Sequence, residues 1–189
     1  KRAAGILSRE LKRPAQGEGR AEQRLLSAVT HKGMLTLWDT VTAQAERVYE
    51  LAGEYGLAHH MLAPILTAAL AAGHDAVACP DPMAPERLAH LIFPDLSLAF
   101  VTSTQEVPWP HRAYRRLRLD AMADQDAYRI NRPRLRFAKR VAAALLDEGV
   151  AGLAQAKEAH DRLEKLYNPY VDFDGVARTA DQVADEVPA

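Results

Sequence analysis

Apolar positions change their spacing along this chain, and the changes mark out its elements. Three short runs, "RVYELA" at 47–52, "HDAVACP" at 74–80 and "LSLAFVTS" at 96–103, read as strands, and the last is nearly continuously apolar, as strands buried on both faces are. "LLSAVT" and "GMLTLWD" are shorter strand-like pieces on either side of a turn at "HKG". Between the first two long runs, 59–72 is rich in alanine and leucine, and Gly73 closes it as a helix. "APERLAHLIF" at 84–93 reads as a second, short helix leading into the last strand.

The order strand, turn, helix, strand, helix, strand predicts βαβ units: a parallel sheet with right-handed crossovers and helices on its faces. Its ligand edge would lie at the carboxyl ends of the strands. Beyond "VPWP" the period lengthens. Residues 111–127 read as helical, and apolar residues then recur at helical spacing from Leu135 to Leu145 and from Leu153 to Tyr167. Gly149 and Pro169 are the expected stops, so these two stretches predict a C-terminal helical hairpin. His160 falls on its apolar side as a packing residue, and "YVDFD" reads as a docking turn with capping carboxylates.

The predicted organisation is a flexible N-terminal arm at 1–20, one α/β domain at 21–176 and an acidic, frayed tail at 177–189. A length of 189 residues with 48% hydrophobic content suits a single core. The net charge of -1 leaves any polyanion binding to a local patch. Cys79 is the single cysteine, which fits a reducing cytoplasm, and no apolar run reaches the ~20 residues of a membrane span. The chain begins at Lys1, as a processed product or a piece of a longer protein would.

The turn after "RVYELA" is "GEYGLAHH", at the place where a nucleotide-binding strand is followed by G-x-x-x-x-G-K-[ST]. Gly53 and Gly56 keep a tight turn, whereas Ala58 adds a Cβ where backbone approaches phosphate. His59 and His60 stand where the loop needs a permanent cation and a magnesium-holding hydroxyl. The neighbouring strand ends in Thr102, Ser103 and Thr104, with Glu106 beyond, instead of in the metal-holding carboxylate of a phosphoryl-transfer site.

From Leu25 to Val176 the chain resembles one half of a family of uncharacterised bacterial ATP-binding proteins with tandem P-loop NTPase-like halves. The stretches that carry the resemblance are "AVTHKGMLTLWDTVT", "YELAGEYG", "ACPDPMAPERLAHLIFPDLSLAFVTS" and "AKEAHDRLEKLYNPYVDFDGV", in that order. The resemblance implies a P-loop NTPase-like parallel sheet flanked by helices, with its phosphate loop at Gly53, Gly56, Ala58, His59 and His60. It further implies ATP or another phosphate as ligand, and a second P-loop-type domain as partner. Because only the two glycines agree with the phosphate-loop pattern, the expected domain is a degenerate, non-hydrolysing one with a structural or regulatory role and at most weak phosphate binding.

Other readings stay open. Arg112, Arg115, Arg116 and Arg118 begin a basic run that continues through Lys139 and Arg140. As a lid, Arg112, Arg115 and Arg116 could replace the missing lysine of an active NTPase; otherwise the run is a solvated face. Sparse aromatic interleaving argues against nucleic acid. Strand ends could also gather His59, His60, Cys79 and His111 into a zinc site or an activated thiol, although no metal-ligand spacing is present. A pure interaction module, such as a homo-oligomer, is the third possibility.

Overall fold

Strand β4 (Arg47–Ala52) is the middle of the site-bearing part of the sheet. Its alternation sends Tyr49 and Leu51 to one face and Val48 and Glu50 to the other. In the computed structural model, which describes residues 2–11 and 17–186, the sheet has six strands. They are β1 (Ala21–Gln23), β4, β5 (Ala76–Asp81), β6 (Ala84–Phe93), β7 (Leu98–Ser103) and β8 (Arg115–Arg118), in the order β1-β5-β6-β7-β4-β8. A separate antiparallel hairpin, β2 (Ser27–Thr30) and β3 (Gly33–Thr36), flanks the "HKG" turn.

The sheet is mixed rather than parallel. β1, β5, β7, β4 and β8 run one way, and β6 runs antiparallel between β5 and β7. The expected helix "APERLAHLIF" is therefore a strand. Ladder partners on both edges, Val77–Ile92 on one side and Ile92–Ala99 on the other, outweigh the helix propensity of its Ala, Glu, Arg and Leu residues. Asp81 sets the hairpin by accepting the Met83 N–H at 2.8 Å.

Helix α3 (His59–Ala71) packs one face, where Leu62 and Ile65 meet Leu51, Leu91 and Phe100. Helix α2 (Trp38–Gln44) covers the other, with Val41, Val101 and Trp109 in its core. Of the expected N-terminal arm, residues 2–11 pack against the domain, and residues 1 and 12–16 lie outside the described residues. In α1 (Arg2–Glu10) Ile6 is buried, while Glu10 accepts the Tyr49 hydroxyl at 2.6 Å and pairs with Arg47.

Two further expectations are corrected beyond β7. Within 111–127, residues Arg115–Arg118 form β8, held by backbone pairing along β4. The expected hairpin is one helix, α4 (Gln125–Tyr167), 43 residues and roughly 64 Å long. Glycine inside a helix costs about 1 kcal/mol against alanine, and neither Gly149 nor Gly152 is followed closely by a residue that forces a turn. Asp124 caps the start of α4 by accepting the N–H groups of Asp126 and Ala127. After a turn at 168–170, α5 (Phe173–Glu186) makes the acidic tail helical as far as Glu186, residues 187–189 lying outside the described residues, and Asp172 accepts the Gly175 N–H at 2.8 Å, the capping role expected of "YVDFD". No described helix is long and apolar enough to cross a membrane.

Candidate functional site

The carboxyl ends of β7, β4 and β8 open into a cleft of about 570 Å³, with Gly53, Glu54, Ser103, Arg116, Arg118 and Asp120 in its wall. The chain leaves β4 through α3 toward β5 and leaves β7 past β4 toward β8, so its connections diverge here. Such a divergence is where open α/β sheets form crevices.

The loop at 53–58 is held from several sides. Gly53 N–H donates to the Ser103 carbonyl at 3.1 Å, and Leu119 N–H donates to the Ala52 carbonyl at 2.8 Å. Glu54 N–H faces both oxygens of the Asp120 carboxylate, at 3.1 and 3.3 Å. A Cβ on Gly53 would sit 3.1 Å from Asp120 Oδ1 and 3.2 Å from Leu119 Cβ, so position 53 has little room for a side chain. Gly56 turns the loop with φ +67°, a left-handed conformation that glycine adopts without strain.

Glu54 also ties the loop to α4. Its carboxylate accepts from Gln105 N–H at 2.7 Å and from Lys139 Nζ at 2.6 Å, and Lys139 reaches Glu106 at 3.1 Å as well. Partial burial pushes the Glu54 carboxyl up, but these donors outweigh it and leave it below its ordinary value. The Lys139 ammonium is raised in turn by its hydrogen bonds to Glu54 and Glu106. Next door, the hydroxyls of Tyr55 and Tyr128 lie 2.9 Å apart.

On the β4 floor Glu50 is buried. It accepts the Ser103 hydroxyl at 2.6 Å and lies 3.3 Å from Arg116 Nε. Alternation along β8 puts Arg116 and Arg118 in the cleft wall. Arg118 has no ion pair among the described residues. Of the lid candidates only Arg116 is in the wall: Arg115 lies over the Tyr114 ring at 5.8 Å, and Arg112 is exposed in the loop before β8.

The other positions expected of a phosphate loop lie outside the cleft wall. Ala58 is buried and helical in conformation at the start of α3, without a side-chain cap. His59 Nδ1 accepts the Leu88 N–H of β6 at 3.0 Å, which leaves its proton on Nε2 and makes it a bridge between helix and sheet. His60 is exposed at the helix surface.

The Cys/His set is dispersed. Cys79 lies in the core on the α2 face, opposite His90 in the β5–β6 register, and burial pushes its thiol up to about 11. His111 is exposed against Trp109. His90, which the sequence reading passed over, is buried beneath Trp38, accepts the Thr102 N–H and is pushed down to about 4 by burial. Among the described residues, the grouping of three metal-ligating side chains is His160, Asp161 and Glu164 on α4. His160 is not the packing residue expected, because it is exposed and 3.3 Å from Glu164.

The sequence reading missed Glu50, Glu54, Asp120 and the cleft position of Arg118. Glu50 had a visible signal, an acid in the middle of an apolar strand. Asp120 had none, since it lies 66 positions from the amide it meets. Comparison of the chain with family models, curated proteins and solved structures gave no match.

Proposed function

We propose that this domain is a degenerate, non-hydrolysing P-loop NTPase-like module with a structural or regulatory role, and that its cleft takes phosphate only weakly. The observation that carries this reading is the Asp120 carboxylate seated on the Glu54 N–H. A phosphate loop works by leaving such amides open to anions at a helix start. Here an internal carboxylate occupies one, and the cation and hydroxyl positions are His59, bonded to β6, and His60, at the surface. Loss of a charge-assisted hydrogen bond costs about 1.5–3 kcal/mol, so each missing donor weakens phosphate binding by roughly ten- to a hundredfold or more.

Arg118 supports residual binding of a small phosphate or carboxylate, because it lines the cleft without an ion pair among the described residues. A reduced, buried Cys79 suits a cytoplasmic setting, and a second P-loop-type domain is the partner such a module would serve.

The test is calorimetric titration of the metal-stripped protein with ATP, with and without magnesium. The reading expects no saturable heat below the millimolar range. Binding tighter than about 10 μM, roughly 7 kcal/mol, would overturn it, as would magnesium-dependent turnover abolished by His59→Ala or His60→Ala.

A further inference from the structure

Among the described residues, helix α4 touches the α/β body along one side. Tyr128, Lys139, Ala143, Leu146 and Val150 are partly covered there, and the body is reached through Tyr55, Glu54, Glu106 and β2. On other sides the helix exposes large apolar residues, among them Phe137, Leu145 at 68% and Leu166 at 71%. Large exposed apolar surface on a helix is a mark of an interaction site.

These positions have a register. Alternating steps of four and three run from Ala138 through Ala142, Leu145, Gly149, Gly152, Ala156 and Ala159 to Leu163 and Leu166, and all nine are exposed. That alternation is the 3.5-residue seam of a coiled coil. The series is nearly a palindrome about a point between residues 150 and 151. We propose that α4 pairs with α4 of a second copy of this chain, antiparallel, with the twofold axis crossing the helices near Gly149 and Gly152.

Two independent features select that partner and that direction. Sterically, an antiparallel copy sets Leu145 against Ala156 and Leu163 against Ala138, with alanine on alanine at 142 and 159 and glycine on glycine at the axis. A parallel copy would set each leucine against itself beside Gly–Gly layers, so no single helix separation would fit both. Large against small keeps a seam filled at constant spacing.

Electrostatically, the helical arm is unevenly charged. Residues 129–140 hold six cations and no acid, whereas 161–172, the stretch that an antiparallel copy sets opposite them, holds three carboxylates and two cations. A parallel copy would stack the cations of 129–140 on themselves, and an antiparallel copy avoids that. The seam from 138 to 166 is roughly 42 Å long at 1.5 Å per residue. With helix axes ~8–10 Å apart its footprint is roughly 400 Å² per copy. Counted over both copies, that approaches the ~1,000 Å² of a specific interface before the relief of the side chains is included. The two α/β bodies would sit at opposite ends of the paired helices. This inference does not depend on the cleft reading, because no seam residue lines the cleft.

Sedimentation equilibrium of the intact chain tests it, with cross-linking for direction. The expected result is a dimer with a dissociation constant of about 1–10 μM. Leu145→Asp should raise that constant by about a hundredfold or more, since both copies lose a central anchor, with helical circular dichroism unchanged because Leu145 is solvent-exposed in the single chain. Mixed under oxidising conditions, Ala138→Cys and Leu163→Cys chains should link to each other and not to themselves, while buried Cys79 stays silent. A monomer at about 100 μM, a dimer indifferent to Leu145→Asp, or self-linking of Ala138→Cys would each overturn the proposal.

Discussion

Replacing Asp120 with alanine separates two roles of its carboxylate, holding the strand-end loop and excluding an external anion. In the native chain the two Asp120 oxygens lie 3.1 and 3.3 Å from Glu54 N. A hydrogen bond to a charged acceptor contributes about 1.5–3 kcal/mol, and the partly open setting and long distances place this one at the lower end or below it. Asp120→Ala is therefore expected to cost about 1–1.5 kcal/mol, or roughly 2–6 °C in melting temperature for a chain of this size. The amide it frees becomes available to phosphate, and a carboxylate a few ångström away is removed. At an effective dielectric of ~20, two charges at ~4 Å repel by about 4 kcal/mol, before solvent screening reduces it. Phosphate affinity should rise by about tenfold or more, corresponding to at least ~1.4 kcal/mol. Urea unfolding with and without inorganic phosphate reads both effects: the variant should be less stable in buffer and regain much of the loss in phosphate, while the native chain responds little. Asp120→Asn, which keeps an acceptor, should lose less. A variant as stable as the native chain and indifferent to phosphate would refute the assignment of Asp120 as a built-in substitute for an anion.

The remaining predictions concern buried titrating groups. His90 is held neutral, with its pKa moved from 6.5 to about 4. Below pH 6.5 the unfolded chain binds a proton that the folded chain does not. Stability should thus be fully present above pH 6.5 and fall by up to roughly 3 kcal/mol as pH drops toward 4. Urea midpoints measured across that range should show the fall, and His90→Gln should flatten it; an equal slope in the variant would contradict the assignment. Cys79, with its thiol pushed up to about 11, should react with a disulfide reagent near neutral pH only on unfolding. Rapid labelling of the folded chain would exclude the buried-thiol description.

The sequence was most informative where one run carries its own boundaries. β4, β5 and β7 are legible because their apolar runs are too short for helices and end at Gly53, Pro80 and Thr104. α3 is legible from its composition and from Gly73, which turns with φ +84°. β6 was not, because nothing local in "APERLAHLIF" reports that both of its edges are paired. β8 is four residues long, and its Arg-rich composition gives no alternation to read. The length of α4 was hidden by Gly149, a stop only where the following residues can turn. The site divided the same way: Gly53 is written in the loop spacing, whereas Asp120 and Lys139 arrive from segments 66 and 85 positions away from Glu54.

The charges around the loop explain how a turn with this glycine spacing is held without the cation that a phosphate loop places in it. In an open phosphate loop, amides and a lysine face an external anion. Here Asp120 supplies the anion to the Glu54 amide, and Glu54 in turn satisfies Lys139 and the Gln105 N–H. Glu50 is likewise held by Ser103 and Arg116. Every carboxylate in or beneath the cleft thus has a donor from the chain itself, and the cleft-wall cation without an ion pair among the described residues is Arg118. An incoming phosphate must compete with a carboxylate that the chain keeps permanently at the amide, so it meets a site already satisfied at high effective concentration. One exposed arginine offers a charge-assisted bond of about 1.5–3 kcal/mol, short of the ~4 kcal/mol of even millimolar binding. Any tight ligand of this cleft would have to displace Asp120, and that displacement would act on Glu54, whose carboxylate holds Lys139 of the long helix.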